Sequence, residues 1–208
     1  MKRRDFTVRL AGAAFAATAQ AAAPPVEGQQ YVRLSTPLPV TLPPGKKVEL
    51  IEFFWYECPH CFEFEPMLEA WLRKLPEDVY FHRVPVGFTA RHQITQKLYY
   101  ALLDMDQAEA LHKKIFNAIH VQNQRLLSVD DMAAFVAANG ADAARFRALY
   151  DSFQVSTQAS KATRLADDYK IDGVPALGIQ GRYYTSGALA GTYARTLETA
   201  GWLIARSR

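Results

Sequence analysis

The spacing of hydrophobic positions divides the chain into segments of different character. Residues 48–55 form a nearly continuous apolar run broken by Glu52, which predicts a strand buried on both faces. Residues 59–75 carry apolar positions at helical spacing, which predicts a helix that Pro66 should kink. A second apolar run, at residues 79–84, predicts another strand. This strand–helix–strand order favours two parallel strands joined by a right-handed crossover.

The following segment, residues 91–169, is rich in Ala, Leu, Gln and Lys and has helical periodicity throughout. Ser128, followed by acidic residues at 130 and 131, predicts the start of one helix. Asn139-Gly140 predicts its end. A further break is expected near residues 104–106. We therefore expect an inserted bundle of four or five helices.

Strand character returns near the end of the chain. Residues 176–179 and 183–184, separated by a turn at Gly181, predict a short hairpin, and a last helix is expected from about residue 190 to 205. The order βαβ, helices, ββα indicates an α/β fold interrupted by a helical insertion. The expected segments are residues 22–90, 91–169 and 170–208.

The first residues have the features of an export signal. A basic start at residues 2–4 precedes an Ala-rich apolar stretch, and Ala19-Gln20-Ala21 fits the cleavage pattern, so residues 1–21 are predicted to be a signal peptide. Arg3-Arg4 also fits a twin-arginine signal, which leaves the export route open. The alternative is an amphipathic helix that Pro24-Pro25 would separate from the body. Either export route predicts a bacterial periplasmic location.

Composition narrows the possible partners. The chain of 208 residues is long enough for one well-cored domain, and it contains no apolar run of about 20 residues. Its net charge of +3 comes from the signal segment, because residues 1–21 hold four of the 24 basic residues and one of the 21 acidic residues. The remaining chain is close to neutral, so we expect no nucleic-acid surface.

The two cysteines, Cys58 and Cys61, are separated by only two residues. Cysteine pairs in exported proteins are usually structural, but a bridge closing so short a loop stabilises a fold least. A zinc site needs four ligands, and the chain has no second cysteine pair. The histidines lack ligand spacing: His82, His92, His112 and His120. We therefore expect no metal and no cofactor, while an inert buried pair stays open as an alternative.

A redox function explains the pair better. The motif follows a predicted strand and opens a predicted helix, so Cys58 should lie at a helix N-terminus, where a thiolate is favoured. Pro59 suits the first helical turn, and His60 can add positive charge or a hydrogen-bond donor near the sulfur. Cys61, one turn further along, should be more buried.

Beyond these features, the chain resembles the DsbA family of thioredoxin-fold oxidoreductases. The resemblance rests on Cys58-Pro59-His60-Cys61 after a buried strand and on four further segments: Glu52-Phe53-Phe54, Phe64-Glu65, Leu75-Pro76-Glu77 and Gly173-Val174-Pro175-Ala176. It implies a thioredoxin-like fold, with βαβ and ββα halves around the helical insertion. It also implies a protein dithiol oxidase that introduces disulfide bonds into exported proteins.

The resemblance assigns roles to residues outside the motif. It implies a cis bond between Val174 and Pro175, with the Val174 backbone available to pair with an extended substrate. It implies that Glu52 relays protons to Cys61; the alternative is a structural ion pair with Arg83 on the neighbouring strand. Glu65 and Arg83 match charged positions that would tune the site.

Glu57 departs from the family pattern, because family members more often carry a neutral residue before the first cysteine. A carboxylate there would disfavour the Cys58 thiolate and weaken the oxidant. Screening would reduce this effect if the side chain points into solvent.

The resemblance also implies partners. Substrates would be reduced, unfolded secreted proteins, a membrane quinone-linked oxidase of the DsbB type would restore the disulfide, and the protein would be a monomer. A reductase or isomerase on the same fold is an alternative, although the segment before the first strand is too short for the dimerisation domain of DsbC-type isomerases. A non-catalytic peptide-binding module is another. A glutathione-dependent isomerase is a third, which the paired cysteines and the export signal disfavour.

Overall fold

The structure is a computed structural model that describes residues 23–208, so the predicted signal peptide lies outside the described residues. Five strands are present in the described part: β1 (Val32–Arg33), β2 (Val48–Phe54), β3 (Val79–Pro85), β4 (Ala176–Ile179) and β5 (Tyr183–Ser186). Eight helices accompany them: α1 (Pro59–Leu72), α2 (Ala90–Leu103), α3 (Ala108–His120), α4 (Val129–Ala138), α5 (Ala143–Tyr150), α6 (Phe153–Asp168), α7 (Gly187–Ala190) and α8 (Tyr193–Arg206).

The strands form one sheet in the order β1-β5-β4-β2-β3. β2 and β3 are parallel, as predicted for the strand–helix–strand unit, and their register places Glu52 opposite Arg83. The pairs β2–β4, β4–β5 and β1–β5 are antiparallel. The fold is therefore the predicted thioredoxin-like α/β arrangement with a helical segment between β3 and β4.

The central strand β2 is buried on both faces, as its apolar run predicts. Val48 and Leu50 pack in a cluster with residues of α1 and α8. Ile51 and Phe53 pack on the opposite face, in the larger cluster that includes the helical segment. Because side chains alternate along a strand, Glu52 shares the face of Leu50 and lies beneath α1.

Five helices, α2 to α6, connect β3 to β4, which agrees with the predicted number of four or five. Ser128 is the N-cap of α4, and its hydroxyl accepts a hydrogen bond from the amide of Asp131 (3.1 Å). The same helix ends at Ala138, and Gly140 follows with a left-handed backbone, φ 83°. Both predicted ends of this helix are confirmed.

The ends of the chain differ from the sequence-based expectation in detail. β1 has only two residues, too few for a recognisable pattern, and was not predicted; it pairs with β5 and lengthens the sheet by one strand. The last helix begins at Tyr193, three residues later than expected, because the short helix α7 and the left-handed Gly191 come first. No helix among residues 23–208 has the length and apolarity needed to cross a membrane.

Candidate active site

The cysteine pair lies at the start of α1, just after the end of β2. Cys58 is the N-cap of α1, with an extended backbone, and Pro59 begins the helix without leaving an amide unpaired. Both cysteines are free thiols. Cys58 is 8% exposed and Cys61 is fully buried, so Cys58 is the sulfur that another thiol can reach.

The surroundings of the two thiols separate their ionisation. A hydrogen bond from the Cys61 side chain, amide hydrogen bonds from Cys61 and His60, and the charge of His60 outweigh burial and lower the pKa of Cys58 to about 6. Burial raises the pKa of Cys61 well above its ordinary value, and its hydrogen bond to Cys58 adds to this rise. At neutral pH the pair therefore holds a thiolate on Cys58 and a thiol on Cys61.

The loop before β4 faces Cys58, the more accessible of the two cysteines. The peptide bond between Val174 and Pro175 is cis, as the family resemblance implies. The Cys58 thiol group lies 3.6 Å from the backbone oxygen of Val174, within the range of a sulfur hydrogen bond. A cavity of about 550 Å³ beside this loop is also lined by His60 and Tyr193. The cavity therefore lies next to the loop that contacts Cys58.

The side chain of His60 lies at the surface. Its side chain is 68% exposed, and Nδ1 lies 3.5 Å from a carboxylate oxygen of Glu63. Its backbone oxygen accepts a hydrogen bond from the Tyr193 hydroxyl (3.3 Å). His60 thus contributes to the site mainly through its amide and its charge, both of which favour the Cys58 thiolate.

Glu57 does not point freely into solvent, because it forms an ion pair with Arg91 at the start of α2. The Nη2 and Nε atoms of Arg91 donate to Glu57 Oε2 at 2.6 and 3.0 Å. The Glu57 side chain is 12% exposed, whereas that of Arg91 is 63% exposed. The guanidinium of Arg91 offsets the negative charge of Glu57, so this departure from the family pattern does not prevent a low pKa of Cys58.

A buried ion-pair network lies beneath α1, centred on Arg83. Its guanidinium donates to Glu52 Oε2 through Nε (2.9 Å), to Glu65 Oε2 through Nη2 (3.3 Å), and to both oxygens of Glu109 through Nη1 (2.9 Å each). Glu52 is fully buried and Arg83 is 6% exposed. The structural ion pair between Glu52 and Arg83 is therefore present.

The carboxyl groups of this network differ in ionisation. Burial and the charge of Glu65 raise the pKa of Glu52 well above its ordinary value. Burial also opposes the ionisation of Glu65, but its hydrogen bond to His112 and the charge of Arg83 lower its pKa. The network thus favours a protonated Glu52 next to an ionised Glu65.

Two histidines of α3, which the sequence analysis did not assign to the site, contact residues on either side of the motif. His112 bridges the Tyr56 hydroxyl, 3.0 Å from Nδ1, and the Glu65 carboxylate, 2.9 Å from Nε2. Nε2 of His120, two turns along the same helix, lies 2.8 Å from the backbone oxygen of Tyr56. Spacing along the chain could not reveal these contacts, because they depend on how the helical segment folds back onto the sheet.

Glu52, Glu65 and His112 also form the one group of metal-ligand side chains found among residues 23–208, with ligand atoms within 4.8 Å of one another. Arg83 already donates to both carboxylates. A guanidinium held there supplies the positive charge that a cation would supply. We therefore interpret the cluster as an ion-pair network.

Known proteins resemble this chain in sequence. A family model described as "DSBA-like thioredoxin domain" matches residues 77–193, a range that begins after the cysteine pair. A full-length relative spans the pair: the "Thiol:disulfide interchange protein DsbA" of Bordetella parapertussis is 43% identical, and the alignment covers 100% of both chains. The protein of the same name from Pseudomonas aeruginosa PAO1 is 36% identical, with 100% of this chain and 98% of the relative covered.

Solved structures agree with these sequence matches. The crystal structure of Pseudomonas aeruginosa DsbA superimposes with a TM-score of 0.81 at 39% identity, covering 87% of this chain and 93% of that one. A structure of reduced DsbA1 from Neisseria meningitidis gives a TM-score of 0.74 at 28% identity, covering 89% and 96%.

Proposed function

The chain belongs to the DsbA family of thioredoxin-fold thiol:disulfide oxidoreductases, and we propose that it oxidises thiol pairs of exported proteins through a Cys58–Cys61 disulfide. The observation that carries this proposal is the asymmetry of the two thiols. Cys58 caps a helix and has a pKa of about 6, whereas Cys61 is fully buried with a raised pKa. A stable Cys58 thiolate favours the reduced enzyme and so makes the disulfide form an oxidant.

The first step is attack on the disulfide. A substrate thiolate attacks the Cys58 sulfur, a bond forms between them, and the Cys58–Cys61 bond breaks, so that Cys61 leaves as a thiolate. The attack occurs at Cys58 because Cys61 is inaccessible behind it. Pro59 and His60 support this step by starting the helix and by placing an amide and a charge near the sulfur.

The second step releases the product. The second substrate thiolate attacks the substrate's own sulfur, the substrate disulfide forms, and Cys58 leaves as a thiolate. Two electrons pass from the substrate to the enzyme, which ends as the dithiol. The low pKa of Cys58 speeds its departure in this step.

The residues around the motif have separate roles in these steps. The backbone of Val174, next to the cis Pro175, pairs with an extended substrate segment crossing the cavity beside it. Glu52 supplies a proton to the departing Cys61, while Arg83 and Glu65 hold it in its buried position. Glu57 modifies the charge near Cys58 only weakly because it is paired with Arg91.

The proposal extends to partners, location and domain organisation. Residues 1–21 direct export to the periplasm, where the mature chain acts as a monomer on reduced, unfolded secreted proteins. A quinone-linked membrane oxidase of the DsbB type restores the disulfide. Residues 22–90 and 170–208 form the thioredoxin-like domain, and residues 91–169 form its helical insertion.

The direct test compares two single variants with the mature wild-type chain. Cys58→Ser should abolish oxidation of a reduced, unfolded substrate protein, measured by loss of free thiols. Cys61→Ser is the matched control. Its Cys58 can still form a mixed disulfide by exchange with an existing disulfide, but it has no Cys58–Cys61 bond with which to oxidise substrate thiols. Oxidation retained by Cys58→Ser would rule out the proposed mechanism.

A further inference from the structure

His112 belongs to the helical segment, yet its ring lies within the buried network beneath the motif. The side chain is 4% exposed and packs against the rings of Phe54, Tyr56 and Phe116. Its two nitrogens face different partners, the Tyr56 hydroxyl (3.0 Å) and the Glu65 carboxylate (2.9 Å). His112 therefore joins Glu65 in α1 to the residue two positions before Cys58.

The two partners link the tautomer of His112 to the proton on Glu65. If Nε2 carries the hydrogen, it donates to an ionised Glu65, and Nδ1 accepts from the Tyr56 hydroxyl. If Nδ1 carries the hydrogen, Nε2 has only a lone pair to offer, and Glu65 must be protonated to keep that hydrogen bond. Burial lowers the pKa of His112, which favours a neutral ring.

The donors around the two buried carboxyl groups decide between these states. Glu65 faces two nitrogen donors, Arg83 Nη2 and His112 Nε2, whereas Glu52 faces only Arg83 Nε. Oxygen Oε1 of Glu52 is buried without a hydrogen-bond partner among residues 23–208. Two neighbouring carboxyl groups resist ionising together, so they share one proton. That proton resides on the carboxyl group that accepts fewer hydrogen bonds, which is Glu52.

We propose that His112 is a positioning residue of the redox centre, whose Nε2–H group keeps Glu65 ionised and thereby keeps the shared proton on Glu52, near Cys61. The titratable and charged groups that contact His112, Glu65 and Glu52 are Tyr56, which bonds to His112, and Arg83, which bonds to both carboxyl groups and to Glu109. His112 acts only through Glu65 and Glu52. It does not touch the reacting sulfurs.

The first test needs no substitution. Nitrogen NMR shifts of histidine distinguish the two neutral tautomers in the reduced wild-type protein. We expect His112 to carry its hydrogen on Nε2 at neutral pH. A ring with its hydrogen on Nδ1 would place the proton on Glu65 and overturn the proposal.

The second test separates hydrogen bonding from packing. His112→Leu removes both contacts, whereas His112→Gln keeps a donor for Glu65 and an acceptor for Tyr56. Carboxyl carbon shifts of ¹³C-labelled glutamate, assigned with Glu52→Gln and Glu65→Gln, report where the proton lies. We expect it on Glu52 in the wild type and His112→Gln, and partly on Glu65 in His112→Leu. An unchanged distribution in His112→Leu would show that His112 only fills space.

The third test is kinetic, and this arm alone rests on the proposed function. Oxidation of a reduced peptide by His112→Leu should be about tenfold slower near neutral pH, part of the roughly 10²- to 10⁴-fold effect of a positioned proton donor. His112→Gln should restore the rate. Equal rates for wild type and His112→Leu would contradict the proposal. An inactive wild type would instead disprove the proposed function, while the NMR results would still decide the role of His112.

Discussion

Two glutamates lie close to the cysteine pair, and their surroundings are opposite. Glu57 directly precedes Cys58, has a side chain that is 12% exposed, and pairs with Arg91, whose side chain is 63% exposed. Glu52 lies in β2 beneath α1, fully buried, and shares Arg83 with Glu65 and Glu109. The solvent-exposed guanidinium of Arg91 counters the first carboxylate, whereas the second carboxyl group and its partner Arg83 are both buried away from the screening of solvent. Distance along the chain from a cysteine is therefore a poor guide to electrostatic influence, and burial is a better one.

The largest effect should come from removing the cation of the buried network. Arg83→Met leaves two buried carboxyl groups without their shared partner, and breaking a buried pair in this way typically costs about 3–5 kcal/mol. Urea unfolding of the oxidised protein measures the loss. Arg91→Met removes the solvent-exposed cation of the Glu57 pair; it is the matched control and should lower the unfolding midpoint much less. Equal losses of stability in the two variants would show that the buried Arg83 network and the Glu57–Arg91 pair contribute equally to stability.

The next effect is a pH dependence on the Cys58 side. The pKa of this thiol falls from 9.0 to about 6 in the folded protein, so between these values the unfolded chain binds more protons and the stability of the reduced protein rises with pH. Below about pH 6 this contribution is lost. The oxidised protein has no thiol to titrate. The difference between the unfolding free energies of the two forms across this range isolates the effect, and a constant difference would contradict it.

A smaller effect concerns proton transfer. Glu52→Gln cannot give a proton to Cys61, so stopped-flow oxidation of a reduced peptide should slow by roughly tenfold near neutral pH. The amide keeps the size of the side chain, so the urea midpoint should fall less than in Arg83→Met. An unchanged rate would reduce Glu52 to a structural partner of Arg83, the alternative considered from the sequence.

The smallest effect belongs to Glu57. Glu57→Gln should lower the pKa of Cys58 slightly, because one screened carboxylate is removed, and the change should shrink further in high salt. Thiolate absorbance followed against pH measures it. The paired variant Arg91→Gln should move the pKa in the opposite direction. A large, salt-independent shift would show that the surface pair controls the thiol after all.

Local sequence patterns predicted the elements that carry the cysteines. The apolar run of β2, the helix after it and the short hairpin of β4 and β5 each follow from spacing within a few neighbouring residues. The contact between Glu52 and Arg83 could also be anticipated, because parallel neighbours in a strand–helix–strand unit bring their residues opposite one another. Local sequence pattern thus accounts for the strands and the helix that position the site.

Contacts made by the helical segment could not be predicted. Arg91 reaches Glu57, and His112 and His120 reach Tyr56 and Glu65, across separations of 34 to 64 residues. No spacing rule connects such positions, because they meet only after the segment packs against the sheet. Among scattered histidines, those at positions 112 and 120 share one face of a helix, and that was the one available signal.

We expect the fold to make Cys58–Cys61 an oxidising disulfide, and the redox potential of the pair decides whether it does. Equilibrating the mature protein with glutathione buffers at neutral pH gives that potential. The stabilised Cys58 thiolate predicts a value clearly more oxidising than the approximately −270 mV of thioredoxin. A value at or below that of thioredoxin would contradict the account and favour a reductase on the same fold.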